Sequence, residues 1–138
     1  MNVKTAAIDL GDVRTGLAFS DGLGVIAGRA LTLTARSREE LISKLLSEIA
    51  AEGASLIVVG LPLNMDGTEG PRAEKARAFA ELLKKETAVP VVLWDERSTS
   101  VTANRILSDA GKKKKKQRAL VDAVAASVIL QSYLDANK

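Results

Sequence analysis

The sequence contains neither cysteine nor histidine in 138 residues. Without cysteine there can be no disulfide scaffold, zinc–cysteine site or thiol nucleophile, and the composition fits a reducing compartment. Without histidine the chain lacks the commonest general base and the commonest transition-metal ligand. Any catalysis must therefore rest on carboxylates, hydroxyls, lysines or hard cations held through oxygen. Aromatic residues are also few, with two Phe, one Trp and one Tyr, so no stacking platform for nucleic-acid bases is expected. Long apolar runs are missing: those near residues 56–63 and 119–130 are too short to cross a bilayer. The first twenty-one residues carry Asp9 and Asp12 rather than a signal-peptide layout. A soluble, cytoplasmic protein is expected.

The length suits a single domain, residues 1–138, large enough to bury a core without staples. The net charge is +3, but Lys112, Lys113, Lys114, Lys115, Lys116 and Arg118 supply six positive charges in one short segment; without them the chain is net −3. The basic character is local. A solvated loop and a contact with a polyanion are the two readings of such a run.

Hydrophobic periodicity organises the rest. Residues 3–10 read as a buried strand, followed by a Gly11-Asp12 turn and a returning strand over 15–20; a third strand covers 27–34. Ser37 with Glu40 forms a capping box, Leu41, Ile42, Leu45, Leu46 and Ile49 share a helical face, and Gly53 is a C-terminal stop. Residues 56–59 are wholly apolar, as in the middle of a parallel sheet. A glycine-containing loop over 60–70 leads to Pro71, which suits the first turn of a helix reaching about Thr87. A strand over 91–94, a helix over 99–110 and a last helix over 120–136 complete the order β-β-β-α-β-α-β-α-α. This pattern predicts an α/β fold, a mixed five-stranded sheet flanked by helices, with its site beyond the carboxyl ends of the parallel strands.

Three acidic residues stand out against apolar surroundings. Asp9 ends a strand that should be central, where an ionised carboxylate is costly unless paired, hydrogen-bonded or metal-bound; accepting N–H groups of the Gly11 turn is the competing role. Asp122 is the one acid in the apolar stretch 119–130, followed on the same face by small Ala125 and Ala126; complementing the helix dipole is the alternative. Asp95 and Glu96 end a buried strand, and only one of them can face Asp9. Glu96, with the longer reach, is preferred; Asp95 remains the other choice, and a plain Glu–Arg pair with Arg97 is the structural explanation. Three converging carboxylates repel one another unless a cation sits among them, and an all-oxygen site favours Mg²⁺ or Mn²⁺. Two such ions about 4 Å apart can activate water and stabilise the leaving oxygen of a phosphodiester.

These residues belong to a wider pattern. Ile8-Asp9-Leu10-Gly11 with Arg14-Thr15-Gly16-Leu17-Ala18 and Ser20-Asp21, the loop running from Val59-Gly60-Leu61-Pro62 to Glu69-Gly70, Asp95-Glu96-Arg97 followed by Thr99, and Val121-Asp122 with Ala125-Ala126 and Ile129-Leu130-Gln131 resemble the motifs of the YqgF/RuvX family, in order and along essentially the whole chain. That family is associated with pre-ribosomal-RNA cleavage and likened to Holliday-junction resolvases. The resemblance implies a ribonuclease H-like fold, bacterial origin, catalytic and metal-binding roles for Asp9, Glu96 and Asp122, and maturation of the 5′ end of 16S rRNA. Ser98, Thr99 and Ser100 depart from the family's usual bulky residue and paired threonines, with little consequence expected. Arg14, Lys112–Lys116 and Arg118 are the expected nucleic-acid contacts, sequence-blind in character. A resolvase of branched DNA and a non-catalytic nucleic-acid-binding factor are the alternative functions; a nucleotide-binding fragment of the actin/sugar-kinase type is disfavoured by length. A monomer is expected, with a homodimer the alternative. The strand after the first helix ends in Gly60-Leu61-Pro62 without an acid, so Glu96 must come from one strand further, about 10 Å away at the backbone. The metal arrangement is expected to form with nucleic acid bound.

Overall fold

The computed structural model describes residues 4–97 and 118–137, with side chains for all of these except 118–122. Strand β1 (Thr5–Asp9) pairs antiparallel with β2 (Arg14–Ser20), which pairs antiparallel with β3 (Ala27–Thr34). Helix α1 (Arg38–Glu52) then returns the chain to β4 (Leu56–Leu61), and α2 (Pro71–Glu86) returns it to β5 (Val91–Asp95). Both β4 and β5 run parallel to β1, giving one sheet of order β3-β2-β1-β4-β5. Helix α3 (Arg118–Ala136) follows. The expected helix over 99–110 lies outside the described residues.

The sheet is buried on both sides, which is why β1 and β4 read as continuous apolar runs. Ala6, Ile8, Leu17, Phe19, Ile57 and Val59 point to one face and pack on Leu41, Leu45 and Ile49 of α1 and Phe79 and Leu83 of α2. Ala7, Ala18 and Val58 point to the other face and meet Ala126, Ile129, Leu130 and Leu134 of α3. The small residues Ala7, Ala18 and Ala126, all fully buried, let α3 lie close against the sheet.

Local signals set the boundaries. Ser37 accepts a hydrogen bond from the Glu40 N–H at 3.1 Å, as the capping pattern predicts. The Glu40 carboxylate turns instead to Lys44, at 3.1 Å, and Arg36. Gly53 ends α1 with φ 74°, its N–H donating to Ile49 and Ala50. Asp21 accepts from the Val25 and Ile26 N–H groups and braces the β2–β3 loop. Buried Gln131 ties α3 to that loop: its Oε1 accepts from Ala27 N, and its Nε2 donates to Val25 O and Asp135. Thus Ser20-Asp21 and Gln131, prominent in the sequence pattern, act in packing rather than chemistry. Among the described residues no helix is long and apolar enough to cross a membrane.

Candidate active site at the carboxyl ends of the parallel strands

Alternation along the strands decides which acids can meet. Val58 and Gly60 of β4 lie on the α3 side, as do Val92 and Trp94 of β5. Asp9 shares that side with Ala7, and Glu96 shares it with Trp94. Asp9 lies one residue past the Ile8–Val59 pair, and Gly60 pairs with Trp94. Asp9, Gly60 and Trp94 thus form a row across three adjacent strands, and Glu96, two residues past Trp94, lies just beyond that row on the same side. The Glu96 N–H still donates to Leu61 O at 3.1 Å, prolonging the ladder and fixing that orientation.

Gly60 is what lets the outer acid approach the inner one. A Cβ on this glycine would fall 2.7 Å from Glu96 Oε2 and 2.6 Å from Ile129 Cδ1. The glutamate side chain therefore lies over the backbone of the intervening strand, in the space any other residue would fill. Leaning over a glycine, the Glu96 side chain reaches across β4 to where the charge of Asp9 is felt. Burial pushes the Glu96 carboxyl up to about 7, with the charge of Asp9 adding to the effect; Arg72 opposes it, and Asp95 adds a smaller push in the same direction.

Asp95 points elsewhere. Its carboxylate accepts from the Arg97 N–H at 2.9 Å and from the guanidinium at 2.8–3.1 Å. These bonds, above all that from the Arg97 side chain, hold its carboxyl below the usual range. Arg97 in turn donates to Met65 O and lies beside Gly67. The loop it grips is braced internally: Asp66 accepts from the Thr68 N–H and hydroxyl, and Asn64 donates to Thr68 Oγ1. The loop is thus self-bonded and latched to the end of β5.

Asp122 lies on α3, four residues before Ala126 and seven before Ile129 in the sequence. Its side chain lies outside the described residues, as does that of Arg118. The lysines 112–116 lie wholly outside them. Among the described residues no cluster of three potential metal ligands occurs; Asp9 and Glu96 are the pair brought together. Arg14 opens β2 just after the Gly11–Val13 turn, at the same end of the sheet.

This pair of oxygen donors fits a hard divalent cation. The like charges raise each other's energy, a cation between them would relieve it, and the chain has no histidine or cysteine to offer a softer site. Arg72, whose charge acts on Glu96, was missed by reading the sequence. Its one signal is its place directly after Pro71, at the start of a helix facing the site.

Comparisons with known proteins bear on the family and the fold. The family model described as "RuvX: Holliday junction resolvase" matches residues 3–136. A Myxococcus xanthus protein named "Putative pre-16S rRNA nuclease" is 42% identical over 99% of this chain and 90% of its own length. Proteins of the same name from Acetivibrio thermocellus (45% identical, 96% of each chain) and Geobacillus kaustophilus (42%, 99% and 100%) match equally completely. Among solved structures, T. thermophilus RuvC in complex with a Holliday junction substrate superposes with a TM-score of 0.64 at 14% identity, over 99% of this chain and 98% of that one. The fowlpox virus Holliday junction resolvase gives 0.60 at 12% identity, over 96% and 99%. At such identities the likeness is one of fold: a ribonuclease H-like sheet of the resolvase kind.

Proposed function

The chain belongs to the RuvX family, and from that premise we propose that it is a nuclease that hydrolyses phosphodiester bonds in the 5′ region of the small-subunit ribosomal RNA precursor, with Asp9, Glu96 and Asp122 as its catalytic acids. The observation that carries this reading is the Glu96 carboxyl lying across Gly60 within the field of Asp9. Two acids held close at the carboxyl ends of parallel strands are costly to folding, and their use is to hold cations.

Asp9 and Glu96 would hold Mg²⁺ or Mn²⁺, with Asp122 joining them from α3. Bound there, a pair of divalent ions supplies charge stabilisation of the transition state and acidifies an attacking water. The protein's own part is positional. Gly60 admits Glu96, the β-ladder fixes Asp9, and Arg97 keeps Asp95 turned away. The chain's chemistry requires no histidine base, since deprotonation of water is eased by the cations. Lys112–Lys116, Arg118 and Arg14 would contact the phosphate backbone without reading bases.

The family description and the junction-bound RuvC favour a second reading, resolution of branched DNA. A resolvase needs two coordinated sites and hence a two-fold dimer, whereas trimming an RNA end needs one. The experiment is depletion in cells, with mapping of small-subunit rRNA 5′ ends, beside the solution mass and a four-way junction cleavage assay. Extended 5′ ends are expected on depletion. Normal ends together with a stable dimer that cuts junctions symmetrically would replace the RNA reading with the DNA one.

A further inference from the structure

On the α1/α2 side of the same strand ends lies a cavity of about 120 Å³ that the carboxylates do not use. Leu10, Gly11 and Asp12 form its floor, and Arg38, Arg72 and Lys75 form its walls. We propose that this pocket binds a non-scissile phosphate of the substrate backbone, with Arg38, Arg72 and Lys75 as donors. The proposal rests on the nuclease reading and adds a second anchoring point to it.

The three cations come from two helices that folding brings together. Arg72 and Lys75 are one turn apart on α2 and project from one face. Arg38 belongs to the first turn of α1, and its guanidinium lies over the buried Phe79 ring, 5.5 Å from the centroid. That contact fixes the head group at the pocket wall. The floor is bare backbone by necessity, because a Cβ at Gly11 would run into the carbonyl oxygen of Arg14. The glycine lets the chain turn tightly here, packing residue 11 against the Arg14 carbonyl and leaving the positive charge of the pocket to its three side chains.

The charges in the pocket are unbalanced. Asp12 is its one acid; it meets Lys75 at 3.4 Å with its side chain 85% exposed, which makes a loose pair. Arg38 and Arg72 form no ion pair with any described residue. Three cations against one solvated carboxylate leave a net positive hollow that an oxyanion with several acceptor oxygens would neutralise. Arg and Lys at this spacing suit a tetrahedral phosphate, which can accept from several directions at once.

Position then selects the source of the phosphate. The acids face the α3 side of the sheet end and repel a polyanion until cations are bound. The basic hollow sits across the same edge, and Arg72 acts on both, since its charge is felt at Glu96. A backbone crossing this edge would be held by one phosphate while the next reaches the acids. Such a field also raises the encounter rate with a polyanion.

The test is RNA binding by the whole protein in EDTA, where cleavage is silent, across a series of salt concentrations. Arg38→Gln/Lys75→Gln removes two of the three cations while sparing Arg72 beside Glu96. Lys84→Gln/Lys85→Gln, at the far end of α2, removes the same charge elsewhere. The slope of log K against log salt should fall by about 1.4–1.8 in the pocket variant, at 0.7–0.9 per contact, and stay unchanged in the control. Manganese-dependent cleavage by the pocket variant should show raised KM with kcat kept. Equal slopes in parent and pocket variant, or equal falls in both variants, would overturn the pocket. A thermal shift with inorganic phosphate, lost in the pocket variant while its RNA slope stays at the parent value, would also overturn it by assigning the hollow to free phosphate. A parent that binds RNA with the expected slope change but never cleaves would keep the pocket and refute the nuclease reading. A parent that cleaves while the pocket variant keeps the full slope would do the reverse.

Discussion

Glu96→Gln should make the metal-free protein more stable, by an amount that grows as pH rises from about 4.5 to about 7. The Glu96 carboxyl titrates at about 7 in the fold against an ordinary 4.5, chiefly because it is desolvated and secondly because Asp9 faces it. Below pH 4.5 the group is neutral in both the folded and unfolded chain, so no cost arises. As pH rises through 4.5 to 7 the unfolded chain releases a proton that the folded chain retains, and stability falls. Above the folded value the cost is complete. A rise from 4.5 to about 7 would correspond to at most roughly 3.4 kcal/mol. The carboxyl is partly solvated, so screening reduces this to about 1–2 kcal/mol. Glutamine fills the same space over Gly60 and never ionises. Thermal unfolding in EDTA should therefore give matching midpoints near pH 4 and a variant midpoint about 3–10 °C higher at pH 8.5. Added Mg²⁺ should reverse the order, by stabilising the parent through binding to the folded state alone. Parallel pH curves, or a variant less stable at pH 8.5, would refute the crowding of the two acids.

Three further perturbations probe separate links. Gly60→Ala should leave the fold standing, because Glu96 Oε2 and Ile129 Cδ1 are flexible ends that can move, but displacing the carboxylate by about 1 Å should cost about 10²-fold in cleavage rate; undiminished cleavage would mean the glycine does not position Glu96. Gln131→Leu should lower stability by about 2–3 kcal/mol in chemical denaturation, since the Ala27 N–H and Val25 carbonyl lose their partners; an unchanged midpoint would mean water replaces the amide without loss. Replacing Lys112–Lys116 with serine should flatten the salt dependence of RNA binding by about 2, half the value for five full phosphate contacts; an unchanged slope would return the run to a solvated loop.

The architecture was legible because its signals are local. Three meandering strands, the Ser37 cap, the Gly53 stop, Pro71 at a helix start and the apolar run of β4 each fix one element, and the order of elements leaves few topologies. The candidate acids were conspicuous, since Asp9 and Asp122 sit among apolar neighbours in sequence and strand alternation permits one of Asp95 and Glu96 to face Asp9. Long-range geometry was harder to read. Counting strands gives the backbone separation of Glu96 from Asp9 but not the path of the Glu96 side chain over the bare backbone of Gly60. The choice between Asp95 and Glu96 turned on Arg97, which looks like a simple neighbour in sequence yet holds Asp95 in four hydrogen bonds. The basic hollow was invisible, since Gly11, Arg38 and Arg72 lie far apart along the chain and none is unusual where it stands. The lysine run, by contrast, is conspicuous in sequence and lies outside the described residues.

The central claim, that acids at these strand ends cut phosphodiester bonds with divalent cations, is tested most directly by one cleavage assay. Purified parent, Asp9→Asn, Glu96→Gln and Asp122→Asn proteins would be incubated with a small-subunit rRNA precursor in Mg²⁺, Mn²⁺ or EDTA. Cleavage by the parent in either metal and none in EDTA is expected, with each variant folded yet reduced by at least about 10³-fold, the scale of losing a group essential to transition-state charge. Undiminished, metal-dependent cleavage by all three variants, or parent cleavage that persists in EDTA, would contradict the account.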